Sequence, residues 1–261
     1  MSKKLLQVEH LSIALKNPYQ ELVKDISFSL EEAGAVILLG QSGSGKTMTC
    51  RAILGLLNSS AFQVNGEILF ENRSLLRLKE KERALYYGSQ IAFIPQNPMT
   101  ALDPSRKIGV QMAEFLRLHR ELNKKEALCL CEQAMIQAGL ADTKRILNSR
   151  PYQLSGGMLQ RVLIALAIAG KARLVVADEP TTALDAIHRD RAVEQLLKLR
   201  EQGCAILIVT HDFDVARHME GHVLIMKEGR MVERGSAKEV LQNPKAGDTK
   251  ELIEAIHLGW G

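Results

Sequence analysis

The residues Gly40-Gln41-Ser42-Gly43-Ser44-Gly45-Lys46-Thr47 follow the apolar run Val36-Ile37-Leu38-Leu39 and lead into a helix-compatible stretch, Met48 to Leu57. Strand, glycine-rich loop, lysine, threonine and helix in that order make a phosphate cradle. Glycines let the loop close until successive backbone N–H groups converge on an anion, and the helix start at Met48 adds partial positive charge. Lys46 can then reach the β- and γ-phosphates of a nucleotide, and the Thr47 hydroxyl can ligate Mg²⁺. A Gly/Ser turn before an ordinary helix is the plainer reading. The complete G-x-x-x-x-G-K-T spacing behind a strand weighs against it. The chain is expected to bind ATP or GTP.

Three further apolar runs end on groups that suit the same ligand. Leu174-Val175-Val176-Ala177 runs into Asp178-Glu179, Ala205 to Val209 runs through Thr210 into His211, and Ile91 to Ile94 runs through Pro95 into Gln96. Short, unalternating, β-branched segments read as strands buried on both faces of a parallel sheet. Ligands of open α/β sheets bind beyond the carboxyl ends of the strands, so these polar residues are expected to share one site. Unrelated core strands are the alternative. A second anion-binding end stands at Ser155-Gly156-Gly157, before the apolar stretch Val162 to Ala169. Taken alone, a serine-capped helix is the favoured explanation, because Ser-Gly caps are common.

These groups need a scaffold. Alternation of Leu6, Val8, Leu11 and Ile13, then Leu22, Ile26, Phe28 and Leu30, with Gly66 to Phe70, predicts a small antiparallel sheet beside the nucleotide core. From Arg106 to Leu147 the period becomes helical. Val110, Phe115, Leu118 and Leu122 mark one face, Leu128, Ala134, Met135 and Ala138 the next, and Gly139 a stop. After Arg230 come a short strand, a helix near Lys238–Leu241, the punctuation Asn243-Pro244, and a last helix from about Thr249 to His257.

The 261 residues, 46% of them hydrophobic, can bury one substantial core. The 34 basic and 30 acidic residues leave a net charge of only +4, too even for a dedicated nucleic-acid or membrane-surface protein. No secretory signal is evident, and no apolar run is long enough to span a bilayer. The four cysteines, Cys50, Cys129, Cys131 and Cys204, lack metal or redox spacing and read as reduced thiols. His218 and His222 stand at i,i+4, but Gly221 interrupts them and no further ligands accompany them.

With these motifs in order, the chain resembles the ATP-binding subunits of ABC transporters over almost its whole length. Gly40 to Thr47 matches that family's Walker A, Gln96 its Q-loop, and Leu154 to Arg161 its signature. Val175 to Glu179 matches Walker B, Ala183-Leu184-Asp185 the D-loop, and His211 the switch histidine. The resemblance implies an α/β P-loop NTPase fold of ABC type, a mixed-sheet core with an antiparallel β subdomain and a helical insertion. Residues 1–96 and 151–230 would form the RecA-like core with its β subdomain, 97–150 the helical subdomain, and 231–261 a C-terminal extension. It also implies two nucleotide domains facing head to tail, with Ser155, Gly156 and Gly157 donating to the γ-phosphate held by the partner. Asp178 would orient Mg²⁺, Glu179 would accept a proton from the attacking water, and His211 would sense the γ-phosphate. Gln96 would reach metal and water and link the site to the helical insertion, and Asp185 would belong to the nucleotide interface.

Within the family, Gln96 to Pro104 and Asn243-Pro244-Lys245 look like the peptide and nickel importer branch. The resemblance implies two permease subunits, a second and paralogous ATP-binding subunit, an extracytoplasmic solute-binding protein acting indirectly, no nucleic acid, and a place on the cytoplasmic face of the membrane. A permease coupling helix would dock near Asn97 to Pro104. The chain departs from peptide importers: it has no cysteine-bearing tail, and Ala246-Gly247-Asp248 replaces the usual His-Pro-Tyr. Ile13-Ala14-Leu15 lacks the aromatic residue that stacks on adenine, leaving Tyr19 as the nearest candidate. These features resemble nickel-importer ATPase subunits, with di- or oligopeptide import as the alternative. A soluble, non-transport ABC ATPase is the more distant one.

Overall fold

Alternating side chains build the first sheet. The computed structural model describes residues 3–181 and 186–258. In it β1 (Lys4–Leu15) pairs antiparallel with β2 (Gln20–Glu31), and Leu6, Val8, Leu11 and Ile13 point into the core. An unalternating strand β3 (Ala35–Leu39) and helix α1 (Lys46–Ile53) follow. The antiparallel sheet is completed by β4 (Phe62–Phe70) and the short β5 (Arg73–Ser74), in the order β2-β1-β4-β5. Leu22 does not take the inward place expected for it. The register slips between the pairs Leu11↔Ile26 and Ile13↔Val23, so β2 gains a residue there and Val23 turns inward while Leu22 is half-buried. Helix α1 is shorter than the apolar run suggests, because Gly55 takes the left-handed conformation just beyond its end.

Helices dominate the middle of the chain: α2 (Glu80–Tyr86), then strand β6 (Ile91–Ile94), then α3 (Ile108–Arg120), α4 (Lys124–Gln137) and α5 (Thr143–Asn148). The apolar α6 (Gly156–Gly170), the fully buried β7 (Leu174–Asp178) and α7 (Ala186–Glu201) complete it, with β6 and β7 parallel neighbours. A capping box of Asn123 and Glu126 opens α4, and Gly139, at φ 74°, lies just past its end as expected. The inward face of α3 differs from expectation. Ile108, Met112 and Leu116 are buried, while Val110 is 38% and Leu118 77% exposed. Gly109 supplies the reason: a Cβ there would stand 2.9 Å from the Leu147 carbonyl oxygen, so α5 approaches where the glycine lies and fixes the rotation of α3.

The chain then returns through β8 (Ala205–Thr210), α8 (Phe213–Met219), β9 (His222–Lys227), β10 (Arg230–Ser236), α9 (Ala237–Gln242) and α10 (Gly247–Leu258). β3 lies between β8 and β9, parallel to both, and β10 closes the edge antiparallel to β9. Every residue of β3 and β8 is buried, which accounts for their unbroken apolar sequence.

By contacts the chain divides into two units, Met1–Lys79 with Ala205–Gly261, and Glu80–Cys204. None of the four cysteines is in a disulfide. No helix among the described residues is long and apolar enough to cross a membrane, and no group of three or more His, Cys, Asp or Glu among them could hold a metal ion.

Candidate active site

In the first unit, β3 delivers the chain into Gly40. A Cβ at Gly40 would lie 2.2 Å from the Met226 carbonyl oxygen, and one at Gly45 would lie 2.8 Å from that of Leu22. Backbone approaches the loop from β9 at one glycine and from β2 at the other, which no side chain would allow. The loop is tied again where the Gly229 N–H donates to the Ser44 carbonyl at 3.1 Å. Lys46 is 5% exposed, and its ammonium donates to the carbonyls of Gly40 at 2.7 Å and Gln41 at 2.9 Å. Gln41, Ser42 and Gly43 stay exposed at the rim, and Thr47 and Met48 are half-buried on the first turn of α1. That turn carries no capping side chain and no acidic residue, so its N–H groups face the loop with the dipole's positive end.

The fit to a phosphate chain is visible in the Ser44 Oγ, which is buried with no hydrogen-bond partner among the described residues. A buried hydroxyl without a partner costs about 1–3 kcal/mol, a cost that an anionic oxygen removes. Beside the loop lies a cavity of ≈ 370 Å³, lined on its other sides by Ile225 to Glu228 and by α10 residues including Asp248 and Leu252. Lys227 fastens α10 there, donating to Asp248 Oδ1 at 2.5 Å and Glu251 Oε2 at 3.3 Å.

The same unit brings His211 to the loop's edge of the sheet. Leu39 of β3 pairs with Thr210 of β8, so Gly40 and His211 each stand one residue beyond a paired position. The turn after His211 is held by Thr210 Oγ1, which accepts from the Asp212 N–H at 3.0 Å, and by Asp212 capping α8. Tyr19 sits in the turn between β1 and β2, 68% exposed.

The second unit gathers another set. Ile94 of β6 pairs with Ala177 of β7, which places Gln96 and the pair Asp178-Glu179 at the same end of two adjacent parallel strands. Asp178 is buried and Glu179 half-buried. Glu179 adopts φ 51°, a left-handed conformation that costs a glutamate about 1–3 kcal/mol. Ser155 caps α6, its hydroxyl accepting from the Met158 N–H at 3.3 Å, and Gly156 lies exposed on the first turn. Asp185, with Ala183 and Leu184, lies outside the described residues.

Sequence reasoning missed two parts of this arrangement. One is the end of β9 and the turn after it, whose Met226 and Gly229 backbone braces the loop. The other is Gln160, whose amide donates to the Pro180 carbonyl at 2.7 Å from inside α6. Its only signal is a polar amide in a mostly apolar helix, where it is 4% exposed.

Residues 23–182 match the family described as ABC transporter. The chain is 41% identical over 250 residues to the metal-staphylopine import system ATP-binding protein of Staphylococcus aureus, covering 95% of this chain and 92% of that one. It is 35% identical over 257 residues to the oligopeptide transport ATP-binding protein of Lactococcus lactis, covering 97% and 76%. Among solved structures, a dimeric ATP-binding cassette in a post-hydrolysis state, bound to ADP and Pi, superposes with a TM-score of 0.79 at 26% identity, over 89% of this chain and 98% of that one. The protein cbiO1 of Clostridium perfringens, part of the ABC transporter complex cbiONQ, gives 0.77 at 25% identity, over 98% and 95%.

Proposed function

This chain belongs to the ABC transporter family and is an ATPase whose hydrolysis is coupled to transport, and from that membership we propose that it drives an importer whose cargo is nickel, free or as a small chelate. The observation that carries the chemical part is the pairing of strands. Gly40 with His211, and Gln96 with Asp178 and Glu179, each sit at the carboxyl ends of adjacent parallel strands.

Gly40 to Thr47 and the start of α1 hold the triphosphate of ATP, with Lys46 moving from its own loop carbonyls to phosphate oxygen. By the resemblance to this family, Thr47, Asp178 and Gln96 would supply the hard oxygen donors that Mg²⁺ requires, and the ion would neutralise phosphate charge when bound. Glu179 takes a proton from the water that attacks the γ-phosphorus, so that the bond to the ADP oxygen breaks and ADP and phosphate leave. His211 contacts the γ-phosphate, and Gln96 carries its loss into residues 97–150. Ser155 and Gly156, exposed at the start of α6, and the half-buried Gly157 close over the nucleotide held by a second, paralogous ATP-binding subunit, and Asp185 joins that interface. Tyr19 supplies the ring that stacks on adenine.

The working protein is a peripheral subunit on the cytoplasmic face of a membrane, attached to two permease subunits and served by an extracytoplasmic solute-binding protein. The name of the Staphylococcus aureus relative supports a metal cargo. Peptide import is the second reading, supported by the names of the Lactococcus lactis oligopeptide and Escherichia coli dipeptide transport relatives. Proteoliposomes holding the complete transporter decide between them. MgATP-dependent uptake of radioactive nickel, unaffected by excess dipeptide, is the expected result. Uptake of labelled dipeptide with none of nickel, added free or with a small chelator, overturns it.

A further inference from the structure

Gln160 connects two functional segments of one subunit. It stands four residues after Gly156, hence one turn along α6 and on the same helix face. Its side chain is buried, and its amide nitrogen donates to the Pro180 carbonyl at 2.7 Å. Pro180 directly follows Glu179, which the turn holds at φ 51°. An extended or right-handed backbone at Glu179 would send the carboxylate elsewhere, and a left-handed glutamate persists only where its surroundings enforce it. Pro180 fixes its own φ, so a bond to its carbonyl restrains the peptide geometry on the far side of Glu179.

We propose that Gln160 is a positioning residue: its bond to Pro180 holds Glu179 in the left-handed conformation that aims the carboxylate at the attacking water. The inference rests on the role given to Glu179 above. Because the donor lies on the helix whose first turn is Ser155 to Gly157, a shift of α6 when those residues engage a nucleotide moves Pro180 as well. The bond therefore carries the state of one nucleotide to the carboxylate that serves the other.

Gln160→Met keeps the length and apolar fit of the side chain and removes the donor. In the assembled transporter it should lower kcat for ATP about ten- to a hundredfold, the scale of a misplaced catalytic group, with KM and MgATP affinity unchanged. On a Glu179→Gln background the same substitution should change residual single-turnover hydrolysis less than twofold, because there is no carboxylate left to aim. If Gln160→Met does not fold, Gln160→Leu repeats the test, since its side chain also carries no donor. A kcat within about twofold of wild type, a parallel loss of nucleotide affinity, or an undiminished effect on the Glu179→Gln background overturns the inference. Full turnover by Glu179→Gln alone would instead overturn the role of Glu179.

Discussion

The Lys46 ammonium donates to the carbonyl of Gly40, six residues earlier, at 2.7 Å. The charge is thus held inside its own loop, desolvated and already facing the cradle, so little ordering remains when a phosphate oxygen replaces the carbonyl.

Lys46→Ala should therefore weaken MgATP binding about a hundredfold or more, the worth of two hydrogen bonds from a charged donor. Calorimetric titration measures it, and circular dichroism should show an unchanged fold. Near-wild-type affinity in a folded variant would place the phosphates elsewhere.

Gly40→Ala tests the brace from β9. The added Cβ would meet the Met226 carbonyl oxygen at 2.2 Å, a backbone group that cannot swing aside, and the Ser44 Oγ at 2.8 Å. Overpacking of about 1–3 kcal/mol should lower Tm by roughly 2–10 °C in scanning calorimetry. Gly156→Ala is the control, since a Cβ there meets nothing within 4 Å.

Glu179→Gln preserves shape and removes the carboxylate. Hydrolysis should fall about 10²–10⁴-fold while ATP binding persists, so the ATP-bound dimer accumulates. Size-exclusion chromatography with MgATP and the second ATP-binding subunit reads this out.

Ala101→Glu probes the docking surface expected here for a permease coupling helix. Ala101 is exposed at the end of a 3-10 turn, Pro98–Ala101, whose start is capped by the Asn97 side chain accepting from Met99 N–H at 3.1 Å. Leu102, by contrast, is buried. The substitution should leave the ATPase activity of the isolated subunits intact and abolish permease pull-down and solute uptake. Survival of both would move the docking site.

The thiols give a pH test. Burial pushes Cys131 and Cys204 each up to about 12, whereas Cys129 is exposed. Both buried groups stay protonated in the folded protein well above the unfolded thiol value of about 8.5, so their contribution to stability is complete below that value. It is lost as pH rises from there toward 12. Iodoacetamide at pH 8 followed by mass spectrometry should label Cys129 in native protein and all four thiols after denaturation.

The strands were the most legible part of the fold. Val36 to Leu39 and Ala205 to Val209 are apolar without alternation because both faces are covered, and that pattern has few other readings. The phosphate loop was legible as a motif, but its bracing by Met226 and Gly229 was not, since nothing local in a sequence records which backbone will pass close by. The rotation of α3 was misread for the same kind of reason. Val110 and Leu118 are as apolar as Met112 and Leu116, and only the approach of Leu147 to Gly109 separates the two faces. The slip between Leu11↔Ile26 and Ile13↔Val23 is a pairing event, invisible in either strand alone. Gln160 falls within the signature match, but a helical amide has no role of its own that a sequence can show until its acceptor is seen.

The placement of β3 between β8 and β9 has a consequence for biosynthesis. The strand that carries the phosphate loop leaves the ribosome early, yet both of its hydrogen-bonding neighbours come from the last third of the chain. Until those segments emerge, Ala35–Leu39 is an apolar strand with two open edges, the kind of segment that chaperones shield and that aggregates when they do not. A nascent chain halted before Ala205 cannot be rescued by nucleotide, because the loop has no braced strand to spring from. Only synthesis through β9 lets ATP act as a stabilising ligand of its own engine.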